Sequence, residues 1–334
     1  MAKEYRFDIA ILRLIAIAIV VFFHAYGMTY AKAHLPADIS AMYRDKYEMF
    51  NQSYLINIAM PLFTVISGFL FGGQLMHNKY GSFWAMTFNK FKRLMIPYFV
   101  FTVFFMFATN SLSAAPFYKW SYWHLWYLPM LFWCFIICYS LKKVLFLRGG
   151  EISLLILAFA LSLLIDDLPA IVGIAELPSF LCWFMLGIVI CRYEKRMFDI
   201  IAKYHLVWAM IAIYTVLSIY FPAKYGTETL AGECASLLAV LALWYISHLI
   251  PWQKFRITHL LLIVSSCSFG IYIFHNWIEM YMISSTAQRL FPIAAFAKAH
   301  IWLFPFLFSS AAFVISFVIS WLLSKTRVGR FLIG

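Results

Sequence analysis

Apolar stretches about as long as a membrane is thick recur along the whole chain, and they constrain its fold more than any other feature. A helix needs roughly 20 apolar residues to cross the ~30 Å hydrocarbon core of a bilayer. Ten such stretches can be recognised, at residues 8–30, 54–76, 93–111, 123–146, 151–168, 178–193, 205–222, 230–250, 259–283 and 300–323. The chain is 64% hydrophobic and only 12% charged, far outside the range of soluble proteins. The sequence therefore predicts an all-α polytopic membrane protein, a bundle of about ten transmembrane helices.

The positions of the basic residues predict the orientation of this bundle. With the N-terminus inside, eighteen of the 26 Lys and Arg residues fall on the cytoplasmic side and seven on the outer side, while Arg13 lies within a span. That bias is what the positive-inside rule expects, and it places both termini in the cytoplasm. The net charge of +12 comes from short clusters between the spans. Such clusters are typical of topology signals and of contact with anionic membrane lipid, and they do not indicate a nucleic-acid groove.

The first apolar segment resembles a signal peptide only superficially. Lys3 and Arg6 precede it, and Ala31-Lys32-Ala33 has the small-x-small pattern of a cleavage site. The run is of spanning length, however, and contains Arg13, which favours a retained first helix. We expect residues 1–334 to form one transmembrane domain with no appended soluble domain. The six cysteines show no CxxC pair, so neither a metal site nor a disulfide framework is predicted.

An arginine and a histidine lie inside this first span, where ionisable groups are costly and are functional candidates by default. Arg13 and His24 are eleven residues apart. On an α-helix they would lie about 20° apart in azimuth and roughly 16 Å apart along the axis, on one stripe. The alternatives are an Arg13 side chain that snorkels to the cytoplasmic headgroups and a His24 that merely packs. Asp8 is a loose candidate for a salt bridge to Arg13.

Three further spans carry polar residues that suggest a site. Ser67-Gly68, after Pro61, permits close backbone approach and leaves a small polar gap, although helix packing alone also explains it. Trp126 and Tyr127 begin the fourth span at the outer side, where an aromatic belt or a surface for stacking against a sugar is expected. His275 and Glu279 are i,i+4 neighbours and can share one helix face, as a proton relay or as part of an active site.

A basic cluster precedes the third span. Lys90, Lys92 and Arg93 are followed by Pro97-Tyr98. Positive-inside anchoring explains these charges, and so does a cytoplasmic dock for a phosphorylated donor, because guanidinium and ammonium groups bind phosphate oxygens.

The polar segments between the spans carry two further expectations. The connection from Ala31 to Ser53 is interpreted as an outer loop, either with its tyrosines at the membrane surface or as a lid over an outer cavity. The acidic residues near span ends are expected to contact water; these are Asp166, Asp167, Glu176 and Glu233.

Taken together, these segments resemble the acyltransferase-3 family of bacterial integral membrane acyltransferases, which modify surface polysaccharides and related glycans. Four features carry the resemblance, in the family's order: Arg13-x10-His24, Pro61 to Leu70, Lys92-Arg93 to Pro97-Tyr98, and Ser268 to His275. One departure is that the family's Arg-x-x-Arg is here Lys90-x-x-Arg93. A lysine keeps the charge but lacks the bidentate fork of arginine.

The resemblance implies a multi-pass protein of the bacterial cytoplasmic membrane that transfers an acyl group, most simply acetyl, from cytoplasmic acyl-CoA to a glycan hydroxyl. It implies that His24 is the general base, with an acyl-histidine intermediate as the alternative. Arg13 would act beside it and, with Lys90, Lys92 and Arg93, bind the donor. Ser67, Trp126, Tyr127, His275 and Glu279 would contact the acceptor. Acetyl-CoA is a donor substrate in this scheme, and no permanently bound cofactor is expected.

Two points stay open at this level. The acceptor can be an exopolysaccharide, an O-antigen, peptidoglycan or a small glycoside, and the acyl group can be acetyl or succinyl. The rival function is a transporter or flippase for a lipid-linked sugar, since many helices with buried ionisable residues are typical of transporters as well. A purely structural scaffold would give buried Arg13 no role.

Overall fold

The computed structural model describes residues 6–30, 35–117, 122–165, 168–221 and 229–333. All regular structure in these ranges is helical, which confirms the all-α prediction. The first nine α-helices within these ranges are α1 (Phe7–Tyr30), α2 (Ala37–Phe50), α3 (Ile56–Met76), α4 (Phe83–Lys90), α5 (Ile96–Ala108), α6 (Tyr127–Ser140), α7 (Lys142–Leu145), α8 (Gly150–Leu164) and α9 (Leu177–Lys203). The remainder of the described chain forms α10 (Leu206–Tyr220), α11 (Leu230–Leu249), α12 (Thr258–Ser266), α13 (Ser268–Met282), α14 (Ser285–Leu290), α15 (Ile293–Ala299), α16 (Phe304–Ser324) and α17 (Arg327–Ile333).

The number of helices able to cross a membrane is seven in the described part of the chain, or eight if α12 and α13 form one broken span with a 69° bend. The predicted count of ten is therefore not confirmed. The two remaining apolar helices, α8 and α10, have 15 residues each. At 1.5 Å per residue they are about 22 Å long, which is short of a ~30 Å hydrocarbon core.

The segment interpreted as an outer loop is largely helical, and in this respect the sequence interpretation was wrong. Residues 31–34 lie outside the described residues, but 37–50 form α2 and continue through a π-helical turn at Asn51–Leu55 into α3. Tyr43 and Tyr47 are buried in a hydrophobic cluster, where their hydroxyls donate to the carbonyls of Ala297 (2.8 Å) and Ile301 (2.9 Å). Tertiary packing thus orders a segment whose polar composition suggests a loop.

The chain divides into two compact units. The first comprises Met1–Met60, Trp208–Thr227 and Ala231–Gly334, and the second comprises Pro61–Val207 and Glu228–Leu230. The first unit therefore contains α1 and α13, and the second contains α4 to α9 and most of α3.

In the first unit, α1 is surrounded by α12, α13 and α16. Two serines attach neighbouring helices to its N-terminal half: Ser247 donates to the carbonyl of Asp8 (3.2 Å) and Ser265 to that of Ala10 (2.6 Å). All four groups are buried, where an unmade hydrogen bond is costly. These bonds therefore set the position of the helix that carries Arg13 and His24.

Gly270 sets the distance between α13 and α16. A β-carbon at this position would lie 2.5 Å from Oγ and 2.7 Å from Cβ of Ser320. The Ser320 hydroxyl itself donates back to the carbonyl of Ser316 (2.6 Å), as serine does inside apolar helices. The glycine of the fourth sequence motif is thus a close-packing residue of the helix that carries His275.

In the second unit, a pair of glycines brings α3 and α9 into backbone contact. A β-carbon on Gly68 would lie 1.9 Å from the carbonyl oxygen of Phe184, and one on Gly187 would lie 2.1 Å from that of Val65. The close backbone approach predicted for Ser67-Gly68 is therefore confirmed. Small residues at helix crossings are the usual device for close packing in membranes.

Candidate active site

Arg13 and His24 lie on one uninterrupted α-helix, α1. The helical spacing assumed for the stripe therefore applies, and the two Cα atoms are separated by roughly 16 Å along the axis. Both side chains are half-buried, so each keeps some accessible surface. Asp8, considered above as a partner of Arg13, is bound bidentately by Arg6, with Nε to Oδ1 at 2.8 Å and Nη2 to Oδ2 at 2.7 Å.

The imidazole of His24 lies against α13. Its ring centroid is 5.2 Å from that of His275, with an angle of 49° between the planes. The side-chain amide nitrogen of Asn276 lies 3.2 Å from Nδ1 of His24. The structure thus brings together two histidines and an asparagine from helices that are some 250 residues apart in sequence. Local sequence does not predict Asn276 as a site residue, because nothing in it indicates a partner some 250 residues away.

His275 is fully buried, and its hydrogen bonds fix its tautomer. Nδ1 lies 2.7 Å from the carbonyl oxygen of Tyr272 and 3.2 Å from that of Ile271. Because a carbonyl oxygen only accepts, Nδ1 carries the proton and donates it one turn back along α13. Glu279 lies one turn in the opposite direction and is also fully buried. The two residues therefore share the buried face that their spacing predicted.

Within this group, accessibility separates His24 from its neighbours. His275 has no exposed surface and Asn276 only 5%. His24 is half-buried. Of the two histidines, His24 therefore keeps some accessible surface, whereas His275 has none.

The remaining predicted site residues belong to the second unit and are described within it. The aromatic pair is packed into the protein: Tyr127 is buried and receives a hydrogen bond from Thr64 (3.4 Å), and Trp126 lies against Phe180 with the ring centroids 5.3 Å apart. Ser67 donates to the carbonyl of Phe63 in its own helix (3.0 Å). Tyr127 and Ser67 thus have structural partners, and Trp126 keeps part of its surface accessible.

The basic cluster separates into one buried and two exposed side chains. Lys90 is buried, and its Nζ lies 3.7, 5.4 and 5.8 Å from the ring centroids of Phe135, Phe71 and Tyr80. An ammonium among aromatic faces is stabilised by cation–π attraction. Lys92 and Arg93 are exposed.

The backbone at Lys92 and Arg93 is distinctive. Both residues lie in a π-helical turn, Phe91–Met95, just before Pro97. Proline has no N–H to donate to the carbonyl of residue 93, which favours a wider turn there. Of the three cations in this cluster, Lys92 and Arg93 are exposed and Lys90 is buried.

The acidic residues at span ends differ from expectation in one case. Glu233 is only 3% exposed, so the expected contact with water was wrong for this residue. Glu176 is half-buried, and burial raises the pKa of its carboxyl group. Asp166 and Asp167 lie outside the described residues. Within the described ranges, no group of three or more His, Cys, Asp or Glu residues could hold a metal ion, and all six cysteines are free.

The apolar helices of spanning length in the described ranges, where all regular structure is helical, identify a multi-pass membrane protein. A family model described as an acyltransferase domain matches residues 6–325, nearly the whole chain. The chain therefore belongs to the acyltransferase-3 family and is a membrane acyltransferase. No curated protein and no solved structure matches it.

Proposed function

We propose that this acyltransferase transfers an acetyl group from cytoplasmic acetyl-CoA to a hydroxyl of a cell-surface glycan, with His24 as the general base. The observation that carries this proposal is the position of His24: half-buried on α1, beside the buried His275 and Asn276 of α13. An imidazole with an ordinary pKa near neutrality is suited to accept a proton at physiological pH.

The reaction that this residue would promote is a direct acyl transfer. His24 accepts the proton of the acceptor hydroxyl while the oxygen attacks the thioester carbonyl. The C–O bond forms, the C–S bond breaks, and the proton passes to the departing thiolate to give free coenzyme A. An acyl-histidine intermediate would instead place the acetyl group on His24 first.

The proposed donor site uses the exposed cations. Lys92 and Arg93 would bind the phosphates of acetyl-CoA, since both are exposed and lie on the side predicted to be cytoplasmic. Arg13 lies roughly 16 Å from His24 along α1, towards the end of the helix that the positive-inside rule predicts to be cytoplasmic. It would hold the donor while the thioester reaches the imidazole. Lys90, packed among aromatic rings, would support the fold of this segment and not bind phosphate.

The predicted orientation of α1 also indicates the side of the membrane from which the acceptor approaches. His24 lies in the half of α1 nearer the predicted outer surface, so a glycan hydroxyl would approach from there. A bacterial cytoplasmic membrane has the donor on one side and surface glycans on the other. The family match indicates acyl transfer and therefore argues against the transporter alternative.

Inverted membrane vesicles provide the test. Labelled acetyl-CoA added from outside reaches the cytoplasmic face, and the expected result is a labelled glycan whose acetyl group mild base removes. His24→Ala should lose roughly 10²–10⁴-fold in rate. His77→Ala, at an exposed position, is the matched control. A well-folded His24→Ala protein with full activity would contradict the proposal, and label retained on His24 without acceptor would indicate the acyl-histidine route.

A further inference from the structure

The side-chain carboxamide of Asn276 faces Nδ1 of His24, and in the structure its NH2 nitrogen is the nearer atom. The two polar atoms are 3.2 Å apart, and Asn276 is 5% exposed, so water does not compete effectively for this contact. A neutral imidazole has one nitrogen that donates and one that accepts, and the partner at Nδ1 decides which is which.

The two orientations of the carboxamide have opposite chemical consequences. If the NH2 group faces Nδ1, as it does in the structure, this nitrogen must accept, the proton sits on Nε2, and the basic lone pair is occupied by Asn276. If the amide oxygen faces Nδ1, this nitrogen donates, and the basic lone pair lies on Nε2 at the opposite edge of the ring. A half-turn about the Cβ–Cγ bond exchanges the two arrangements, because the oxygen and nitrogen occupy nearly equivalent positions.

We propose that Asn276 is the positioning residue of His24: with its carboxamide turned over from the orientation in the structure, its oxygen accepts a hydrogen bond from Nδ1 and holds the basic lone pair on Nε2. This inference rests on the proposed function, in which His24 is the base. Only the oxygen-facing orientation keeps its contact when His24 gains a proton, because the imidazolium donates from both nitrogens. Residues that orient a catalytic histidine in this way recur in enzymes of unrelated fold.

An amide suits this position better than a carboxylate would. Placing a formal charge at membrane depth is costly, whereas a neutral carbonyl oxygen is less so. The neighbouring His275 already donates its own Nδ1 proton to the carbonyl of Tyr272 (2.7 Å). The proton positions of both rings would thus be set by neutral oxygen acceptors on α13.

The tautomer of His24 can be measured independently of activity. Full-length protein labelled with 15N-histidine is reconstituted in bilayers and studied by solid-state NMR at about pH 8, where imidazole is neutral. The His24 signals are those absent from His24→Ala. We expect a protonated Nδ1 and an unprotonated Nε2 in the native protein, and a shift towards the Nε2-protonated form in Asn276→Leu. A proton on Nε2 in the native protein, or an unchanged tautomer in Asn276→Leu, would overturn the inference.

Kinetics separate positioning from mere packing. Asn276→Leu keeps the side-chain shape without the acceptor and should lower kcat roughly 10²-fold, with KM for the donor changed less than about threefold. Asn276→Asp, which keeps an oxygen at the same place, should retain the native tautomer and recover part of the loss. Tyr281→Phe, at an exposed position on α13, is the control. Equal activity of the Leu and Asp variants, with both folded, would count against a positioning role.

The two proposals fail in different ways. If His24→Ala is active, the assignment of the base is wrong, whatever the NMR spectrum shows. If His24→Ala is inactive but the resting tautomer carries its proton on Nε2, His24 stays the candidate base and the role of Asn276 is rejected.

Discussion

The side-chain amide of Asn276 lies 3.2 Å from Nδ1 of His24, although 252 residues separate them in the chain. This contact joins the first apolar helix to the penultimate candidate span. It brings the sequence motif that ends at His24 next to the motif that ends at His275. The integrity of this contact depends on how closely α13 packs, and the affinity for the donor should depend on the cations proposed to bind it.

Removal of the Arg13 side chain should weaken donor binding. Loss of one charge-assisted hydrogen bond to phosphate weakens the binding free energy by about 1.5–3 kcal/mol. The KM for acetyl-CoA in Arg13→Ala should therefore rise about ten- to a hundredfold. A short acetyl thioester that lacks phosphates should show no such rise. Steady-state kinetics with the two donors provide the measurement. An equal loss with both donors would assign Arg13 to a step other than phosphate binding.

The exposed pair Lys92 and Arg93 should contribute a salt-sensitive part of donor affinity. The double variant Lys92→Ala, Arg93→Ala should raise KM for acetyl-CoA several-fold at low ionic strength, with a smaller difference at high salt because exposed charges are screened. Lys143→Ala removes an exposed cation from the same predicted side and should leave KM unchanged. If Lys143→Ala raises KM as the double variant does, the effect comes from the general positive charge of this side and not from a donor site.

Lys90 should behave as a packing residue. Lys90→Met keeps an unbranched chain among Phe71, Tyr80 and Phe135, and we expect it to fold with a native KM for acetyl-CoA. Lys90→Ala should leave a cavity and destabilise the protein by about 2–5 kcal/mol, by analogy with other large-to-small core substitutions. Thermal unfolding in detergent and donor kinetics test this. A raised KM in folded Lys90→Met would show that the ammonium binds the donor after all.

Gly270→Ala should disturb the site through helix packing. The added methyl group would lie 2.5 Å from Oγ of Ser320, which overpacks the α13–α16 contact and should cost about 1–3 kcal/mol. Acetyl transfer should fall with it, because α13 carries His275 and Asn276. Ser320→Gly should relieve the clash, so the double variant should regain stability relative to Gly270→Ala alone. A double-mutant cycle with no coupling would mean that the damage arises elsewhere.

The broken helix at Cys267 and the buried residues around it could not be anticipated from hydropathy. A window average over 259–283 indicates one span, whereas the chain turns by 69° between α12 and α13. Ser265, at the end of α12, bonds to the backbone of α1, and Gly270, at the start of α13, contacts Ser320. Both partners are distant in sequence, and neither is visible in a local pattern.

The sequence by itself determined the membrane class, the helical content, and the common stripe of Arg13 and His24. These properties depend on local composition and on the period of the α-helix, which act over a few turns. It also contained enough motifs in order to identify the family.

Tertiary structure decided which polar groups meet. The packing of α13 on α1 places Asn276 and His275 beside His24. The side chain of Lys90, which the sequence predicts to be a surface cation, is buried because aromatic rings distant in sequence surround its ammonium group. The polar segment at 37–50 is helical because its tyrosines are buried against α15 and the residues that follow it. Contacts of this kind depend on which helices are neighbours, and no local pattern in the chain specifies that arrangement.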